Sequence, residues 1–435
     1  MTIPQPALPA TWRWQPLDSL SRVKVSTVDK KSYPDEVPVR LCNYTDVYYQ
    51  DVITSDLAFM EATASAEQIS RFSVQAGDVP ITKDSETSDD IGRPSYVPKD
   101  LPGVVYGYHL AIYRSFDPHY SRFIRYLFDS SLVRAELETR TPGVTRVGLS
   151  QDTLRNLRVP TPPPPVAAKI ADYLDHETAE IDAFIAELDT FADLLLQRKG
   201  AYREHLFGRF VTPTGTASLR GGLAEVDYRI GTNADPGSLL SVSISNGVSR
   251  WVDRTDDLPR ATDLSNYKRV EPGDVVLNRM RAFQGAVGVS QWAGIASPDY
   301  AVLRTRPGFD PGFIEQIIRS DRFVQEIKAR LRGIGNEDSG QIRTPRISVA
   351  DLVRIPTSIP DIDTQIAHVH DWQDFEANTA ERLSDAQHAI DLARERRAAL
   401  ITAAVTGQID VSAKNKPAAE QLEADVAQGL HREYA

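Results

Sequence analysis

The sequence predicts an α+β protein made of two similar globular domains, separated by a pair of long antiparallel, coiled-coil-like helices and related by an internal pseudo-two-fold duplication. Three observations predict it. Blocks of sequence recur at an interval of about 190 to 196 residues. A proline-rich run, Pro160 to Pro165, punctuates the first copy. Each copy then enters a stretch with apolar residues at seven-residue spacing. A repeat this long is no solenoid, whose units run about 20 to 50 residues. It is a duplicated domain-plus-helix module, and two such modules suit a target with two halves.

The duplication is read residue by residue. Gln75 to Lys83 (QAGDVPITK) returns as Glu271 to Arg279 (EPGDVVLNR), and His109 to Arg114 (HLAIYR) as Asp299 to Arg304 (DYAVLR). Phe123 to Ser130 returns as Phe313 to Ser320, and Val159 to Thr161 as Ile355 to Thr357. These blocks divide the chain into a first domain (1–157), a helix (158–212), a second domain (213–356), a second helix (357–411) and a polar tail (412–435).

In the first domain, Val37 to Tyr49 is rich in β-forming residue types, and Asp78 to Lys83 reads as a short strand after a turn at Gly77. Arg122 to Glu138 has helical spacing. The prolines of 160–165 predict a stiff polyproline II connector. Beyond them Leu174, Ile181, Leu188, Leu195 and Tyr202 recur at seven, with Phe184 and Phe191 in the second seam position. That is the stripe of a coiled-coil-like helix, and from Glu177 to Phe210 it would be roughly 50 Å long at 1.5 Å per residue. In the second copy Trp372, Thr379, Ala386, Ala393 and Leu400 recur at seven, with Leu383 and Ile390 beside them. Two long helices with one apolar stripe each bury it by packing on one another; each packing on its own domain is the alternative.

At 435 residues, the chain exceeds what a single core usually serves. No apolar run reaches the length of a membrane span, and the first residues lack the pattern of a secretory signal. Cys42 is the only cysteine, which excludes an intrachain disulfide and fits a reducing cytosol. A cytoplasmic protein without a membrane partner is expected. The net charge of −11 is unevenly spread: −3 over 1–157, −3 over 158–211, +2 over 212–356 and −6 over 357–411. The globular parts are near neutral and the helices acidic. Nucleic-acid binding needs a basic face, not a basic protein.

Catalytic patterns are missing. There is no phosphate-binding glycine loop, dinucleotide fingerprint or nucleophile elbow. Asp117-Pro118-His119-Tyr120 superficially resembles the Asp/Asn-Pro-Pro-Tyr/Phe motif of amino-methyltransferases, but it lacks the second proline. With Asp310-Pro311-Gly312-Phe313, it reads as a turn that starts a helix. His368 and His370, two apart on a helix, face different ways and make a poor metal pair. Lys83 to Asp90 with Arg93 reads as a solvated acidic loop. No catalysis, cofactor or metal is expected from this chain itself.

Several stretches resemble the specificity subunits of type I restriction-modification systems. Gly77 to Gly92 is similar to a strand and loop of that family's recognition domains, and Ser265 to Arg304 to the pattern in their second copies. Glu395 to Val411 (ERRAALITAAVTGQIDV) resembles the end of their second conserved helix most specifically. The Leu-Pro…Trp of Leu8 to Trp12 matches the usual opening, though no such motif opens the second module. The resemblance implies a non-catalytic subunit with two target recognition domains, each reading half of a bipartite double-stranded DNA site. It implies helices that act as a ruler and dock two methyltransferase (modification) subunits, and a restriction (nuclease-translocase) subunit that joins them. Catalysis would lie in those partners.

DNA contacts are then expected from loops at equivalent places in the two domains, mixing basic with small polar residues. After the first Gly-Asp turn these are Lys83, Ser85 and Thr87, with Arg93 and Tyr96 nearby. After the second they are Arg279, Arg281 and Gln284, beside Phe283. The loop of Gly335 to Arg346 adds Asn336, Gln341, Arg343 and Arg346, and its counterpart adds Arg140 and Arg146. Tyr44 and Tyr48 read as core or interface packing, not stacking groups. Two other readings stay open on the residues alone: a protein–protein adaptor with a helical dimerisation rod, and a DNA-modifying enzyme of unfamiliar type.

Overall fold

The computed structural model describes residues 5–141, 147–231, 238–255, 263–331 and 345–411. Arg146, Asn336, Gln341, Arg343 and the polar tail lie outside the described residues. The chain divides into two compact units, one of residues 1–188 with 388–435 and one of residues 189–387.

The first module runs β1 (Arg13–Pro16), β2 (Ser21–Val25), β3 (Val37–Cys42), α1 (Tyr44–Tyr49), β4 (Met60–Ala64), α2 (Ala66–Phe72), β5 (Asp78–Thr82) and β6 (Asp84–Ser85). It continues through β7 (Val104–Tyr106), β8 (Leu110–Ser115), α3 (Ser121–Asp129), α4 (Ser131–Arg140), β9 (Val147–Gly148), α5 (Gln151–Arg155) and β10 (Arg158–Thr161). The 43-residue helix α6 (Pro164–Leu206) follows. The second module runs β11 (Leu223–Glu225), β12 (Leu240–Ser243), β13 (Gly247–Arg250), β14 (Lys268–Val270), β15 (Val275–Asn278), β16 (Val287–Val289), β17 (Gly294–Ala296) and β18 (Tyr300–Thr305). Then come α7 (Pro311–Arg319), α8 (Asp321–Arg330), α9 (Val349–Leu352) and the 44-residue α10 (Ile362–Val405).

A common frame recurs in both. Its sheet is antiparallel, β2-β8-β5 in one copy and β11-β18-β15 in the other, the latter extended by β16. Three short helices follow in each copy, and their N-termini are capped alike: Ser130 and Ser320 accept from Val133 N and Phe323 N, and Ser150 and Ser348 from Thr153 N and Asp351 N. Such caps satisfy amide groups that a helix start leaves without partners. Both Asp-Pro turns start helices, with Asp117 accepting from His119 N and Asp310 from Phe313 N. Around this frame each module carries a second, more varied set of strands, in which a hairpin's first strand meets another strand in parallel, Leu41 with Val105 and Leu239 with Ile295. The first adds the mixed sheet β4-β3-β7 with its own core of Leu41, Phe72 and Tyr106, while the second adds the β12–β13 hairpin and the β14–β17 pair.

The repeated Gly-Asp motif has a structural cause. Gly77 and Gly273 take φ of +83° and +89°, where a side chain is strained. The buried Asp that follows closes the turn, Asp78 accepting from Gln75 N at 3.0 Å and Asp274 from Glu271 N at 2.8 Å. Each also holds a bidentate arginine from the neighbouring strand: Arg114 on Asp78 at 2.6 and 2.7 Å, Arg304 on Asp274 at 2.8 and 2.9 Å.

Several expectations change. Val37 to Tyr49 is strand only to Cys42; Asn43 and Asp46 form a capping box that turns Tyr44–Tyr49 into a helix despite its β-forming residues. The helical stretch after Arg122 is two helices, broken where Ser130 caps the second. The proline run is not one connector. Pro160 lies in β10 opposite Trp14, and Pro164 and Pro165 enter the first turn of α6, where a missing N–H costs nothing.

The long helices pair antiparallel inside each unit. In the first, Leu174 shares a core with Leu400 and Val405, and Asp182 meets Arg397 at 2.9 Å. In the second, Lys199 pairs with Glu376 at 2.6 Å, Tyr202 packs on Phe375, and Phe207 lies against Trp372. The second helix buries its whole stripe of Trp372, Thr379, Ala386, Ala393 and Leu400. The first buries Leu174 and Leu195, but Phe184 is 48% and Phe191 42% exposed. Phe184 instead lines a groove with Ile181, Ala389, Leu392 and Ala393 in the first unit. Among the described residues, no helix is long and apolar enough to cross a membrane.

Candidate nucleic-acid interface

In each module the backbone ties the start of the first candidate segment to described residues that follow the second. At the end of β5 the Lys83 carbonyl accepts from Leu149 N at 2.8 Å, so the 83–93 loop lies beside the segment that follows Arg140–Arg146. At the end of β15 the Arg279 carbonyl accepts from Ile347 N at 3.3 Å, so the 279–284 turn lies beside Arg346. The frame thus places the loop after β5 and the turn after β15 at equivalent positions in the two copies.

The individual side chains are used differently. In the first module Lys83 is tied to Asp84 at 2.7 Å, and Arg140 to Glu136 at 2.5 Å across one helical turn. Tyr96 packs against the core. Ser85 pairs opposite Val147 and hydrogen-bonds Tyr44, while Thr87 is exposed. Arg93 lies 5.6 Å from the Tyr48 ring centroid and 3.7 Å from Asp90. In the second module Arg281 and Gln284 are exposed on a turn that Gly285 closes at φ +80°. Their side chains have no partner among the described residues. Arg279 is half-buried with its Nε unpaired among them, and Arg346 reaches Asp299 at 3.5 Å.

Around the first loop the structure assembles residues outside the expected DNA-contact set. Tyr44 and Tyr48 are not core packing: half-buried, they stack on each other with ring centroids 5.4 Å apart. The Tyr48 hydroxyl donates to Asp90 at 2.5 Å, and that bond, together with burial, holds its pKa above the ordinary value. Burial does the same for Tyr44. Both are neutral phenols at neutral pH. Asp84 sits between Lys83 and His109 Nδ1, the latter at 2.8 Å. The acidic loop is therefore tied down through its carboxylates rather than loose in solvent. The helical placement of the tyrosines was the missing signal, and the Asn43…Asp46 capping box could have supplied it.

Among the described residues, the one grouping of three or more His and carboxylate side chains that could hold a metal is His176, Glu177 and Glu180 on α6, away from these loops. His368 is no ligand pair with His370; it packs among Phe207, Phe210 and Phe313 against Arg209, and burial followed by that guanidinium depresses its pKa.

No protein-family model matches the sequence, and no curated protein does. Solved structures do. A chain from work on complex assembly and conformational transition of the type I R-M system aligns with a TM-score of 0.59 at 17% identity, over 93% of this chain and 100% of that one. The fold is that of a type I restriction-modification chain. The HsdS subunit from Thermoanaerobacter tengcongensis aligns with a TM-score of 0.49 at 17% identity, over 92% of this chain and 98% of that one. The type I S subunit from M. genitalium aligns at 0.34 and 13% identity, over 91% and 96%. The type I fold matches the architecture expected from the duplication, two mixed α/β modules with long helices.

Proposed function

We propose that this chain is the DNA sequence-specificity subunit of a type I restriction-modification system. Each module reads one half of a bipartite double-stranded site, and the chain carries out no catalysis itself. The observation that supports this most is the repeated loop surface on a type I fold: one frame, used twice, presents two different sets of polar and aromatic side chains. Different loops on one frame allow two different half-sites to be read. Phosphate contacts would position each module, and contacts to base edges would specify the sequence.

The long helices are proposed to dock two methyltransferase subunits, with restriction subunits joining the assembly. Phe184 and Leu392 in the first unit, and Phe191, Leu194 and Leu196 in the second, leave apolar surface exposed on them, as docking helices would. Genome-wide methylation mapping of host cells with and without this chain tests the reading. The expected result is that methylation at a gapped, two-part motif disappears when the chain is removed. An unchanged pattern contradicts it.

A further inference from the structure

Five rings of the first unit form one continuous row. Tyr49 meets Tyr48 edge-on at 4.8 Å, Tyr48 stacks on Tyr44 at 5.4 Å, Tyr44 meets His109 edge-on at 6.4 Å, and His109 lies 3.7 Å from Tyr108. The inner three are fixed by polar bonds to the loop after β5: Tyr48 to Asp90, Tyr44 to Ser85 and His109 to Asp84. The row's ends are open, with Tyr49 72% and Tyr108 38% exposed. The two end tyrosines thus lean on a fixed row at a loop surface, which lowers the conformational entropy their rings lose when they make contact.

The charge around the row argues for what it touches. Lys83 lies on Asp84 and Arg93 beside Asp90, so the basic groups here are offset by carboxylates, and Glu86 is exposed. Such a surface is poorly suited to phosphates. The 279–284 turn of the second module, with Arg279 and Arg281 and no carboxylate, is its opposite. The faces of the end rings are apolar, and the apolar group that base edges offer them in the major groove is the thymine methyl.

We propose that Tyr49 and Tyr108 determine specificity in one half-site by packing against thymine methyl groups. The inference rests on the DNA-recognition reading above. It is tested with the full chain and the duplex that this chain selects from a random-sequence library. Deoxyuridine replaces thymine in each half-site in turn, which removes only the methyl groups. Wild-type binding should weaken by about fourfold per contacted methyl, the worth of one buried methylene-sized group. The Tyr49→Ala/Tyr108→Ala protein should bind more weakly and lose that sensitivity in one half-site, keeping the wild-type response in the other. Its salt dependence should be unchanged, because no phosphate contact has been removed. Tyr49→Phe, which keeps the ring, should behave as wild type. If no duplex is selected, the DNA-recognition reading falls and this inference with it. If a duplex is selected but neither half-site responds to deoxyuridine, or the double variant keeps every response, this inference alone is overturned.

Discussion

Asp78 is fully buried beneath a glycine turn, and the guanidinium of Arg114 covers both its oxygens; Asp274 and Arg304 repeat the arrangement. Removing one partner of a buried pair leaves an uncompensated charge, which costs about 3–5 kcal/mol. Arg114 is 26% exposed and Arg304 45%, so the second arginine regains water more easily when its partner is lost. Asp78→Ala and Arg114→Ala should therefore destabilise by about that amount, and Asp274→Ala by clearly less. Urea-unfolding midpoints of the full chain measure this, and equal shifts for the two aspartates would contradict the difference. The sequence shows the turn, because Gly-Asp recurs at a fixed interval. It does not show the pair, because Arg114 comes from a strand 36 positions away and only the sheet register puts it opposite Asp78. Tyr44 to Tyr49 was misread for a related reason. Residue propensity favoured a strand, and two side-chain bonds at Asn43 and Asp46 outweighed it.

At the level of elements, the seven-residue periodicity pointed to both long helices and to their packing on one another; the antiparallel direction was expected from the duplication, and it is found within each unit. It did not tell which seam positions are filled. Trp372 is fully buried against Phe207, with Arg203 over its face at 4.6 Å. Trp372→Ala should cost about 3–5 kcal/mol, the usual penalty for emptying a large aromatic site. Phe184, an apparent seam residue, is half exposed. Phe184→Ala should change stability by less than about 0.5 kcal/mol, as surface substitutions do. Thermal melts of the two variants separate these outcomes; a large loss from Phe184→Ala would return it to the seam. The proline run departs from a single connector because prolines are barred from helix interiors yet suited to a first turn, and composition cannot say which applies.

For the whole molecule, the recurring blocks disclosed the duplication because they carry the shared frame: the central strands, the capped helices and the Gly-Asp turns. What lies between the blocks was illegible. The mixed sheet of the first module and the β12–β13 hairpin of the second share a pairing pattern, with β3 parallel to β7 as Leu239 is bridged in parallel to Ile295 of β17, but no repeated block of sequence marks them. The candidate loops adjoin the repeated strand ends and are legible from them, whereas Tyr44, Tyr48, Tyr49 and Tyr108 lie outside the repeated blocks and only His109 falls in one. This division into common frame and private surface is what independent reading of two half-sites requires. The most direct test exchanges residues 1–157 for the same region of another chain of this fold and determines the DNA sequence that the hybrid selects. The account predicts that one half of the site changes while the other half and the spacing between them stay as they were. A hybrid that selects a site changed in both halves would contradict it.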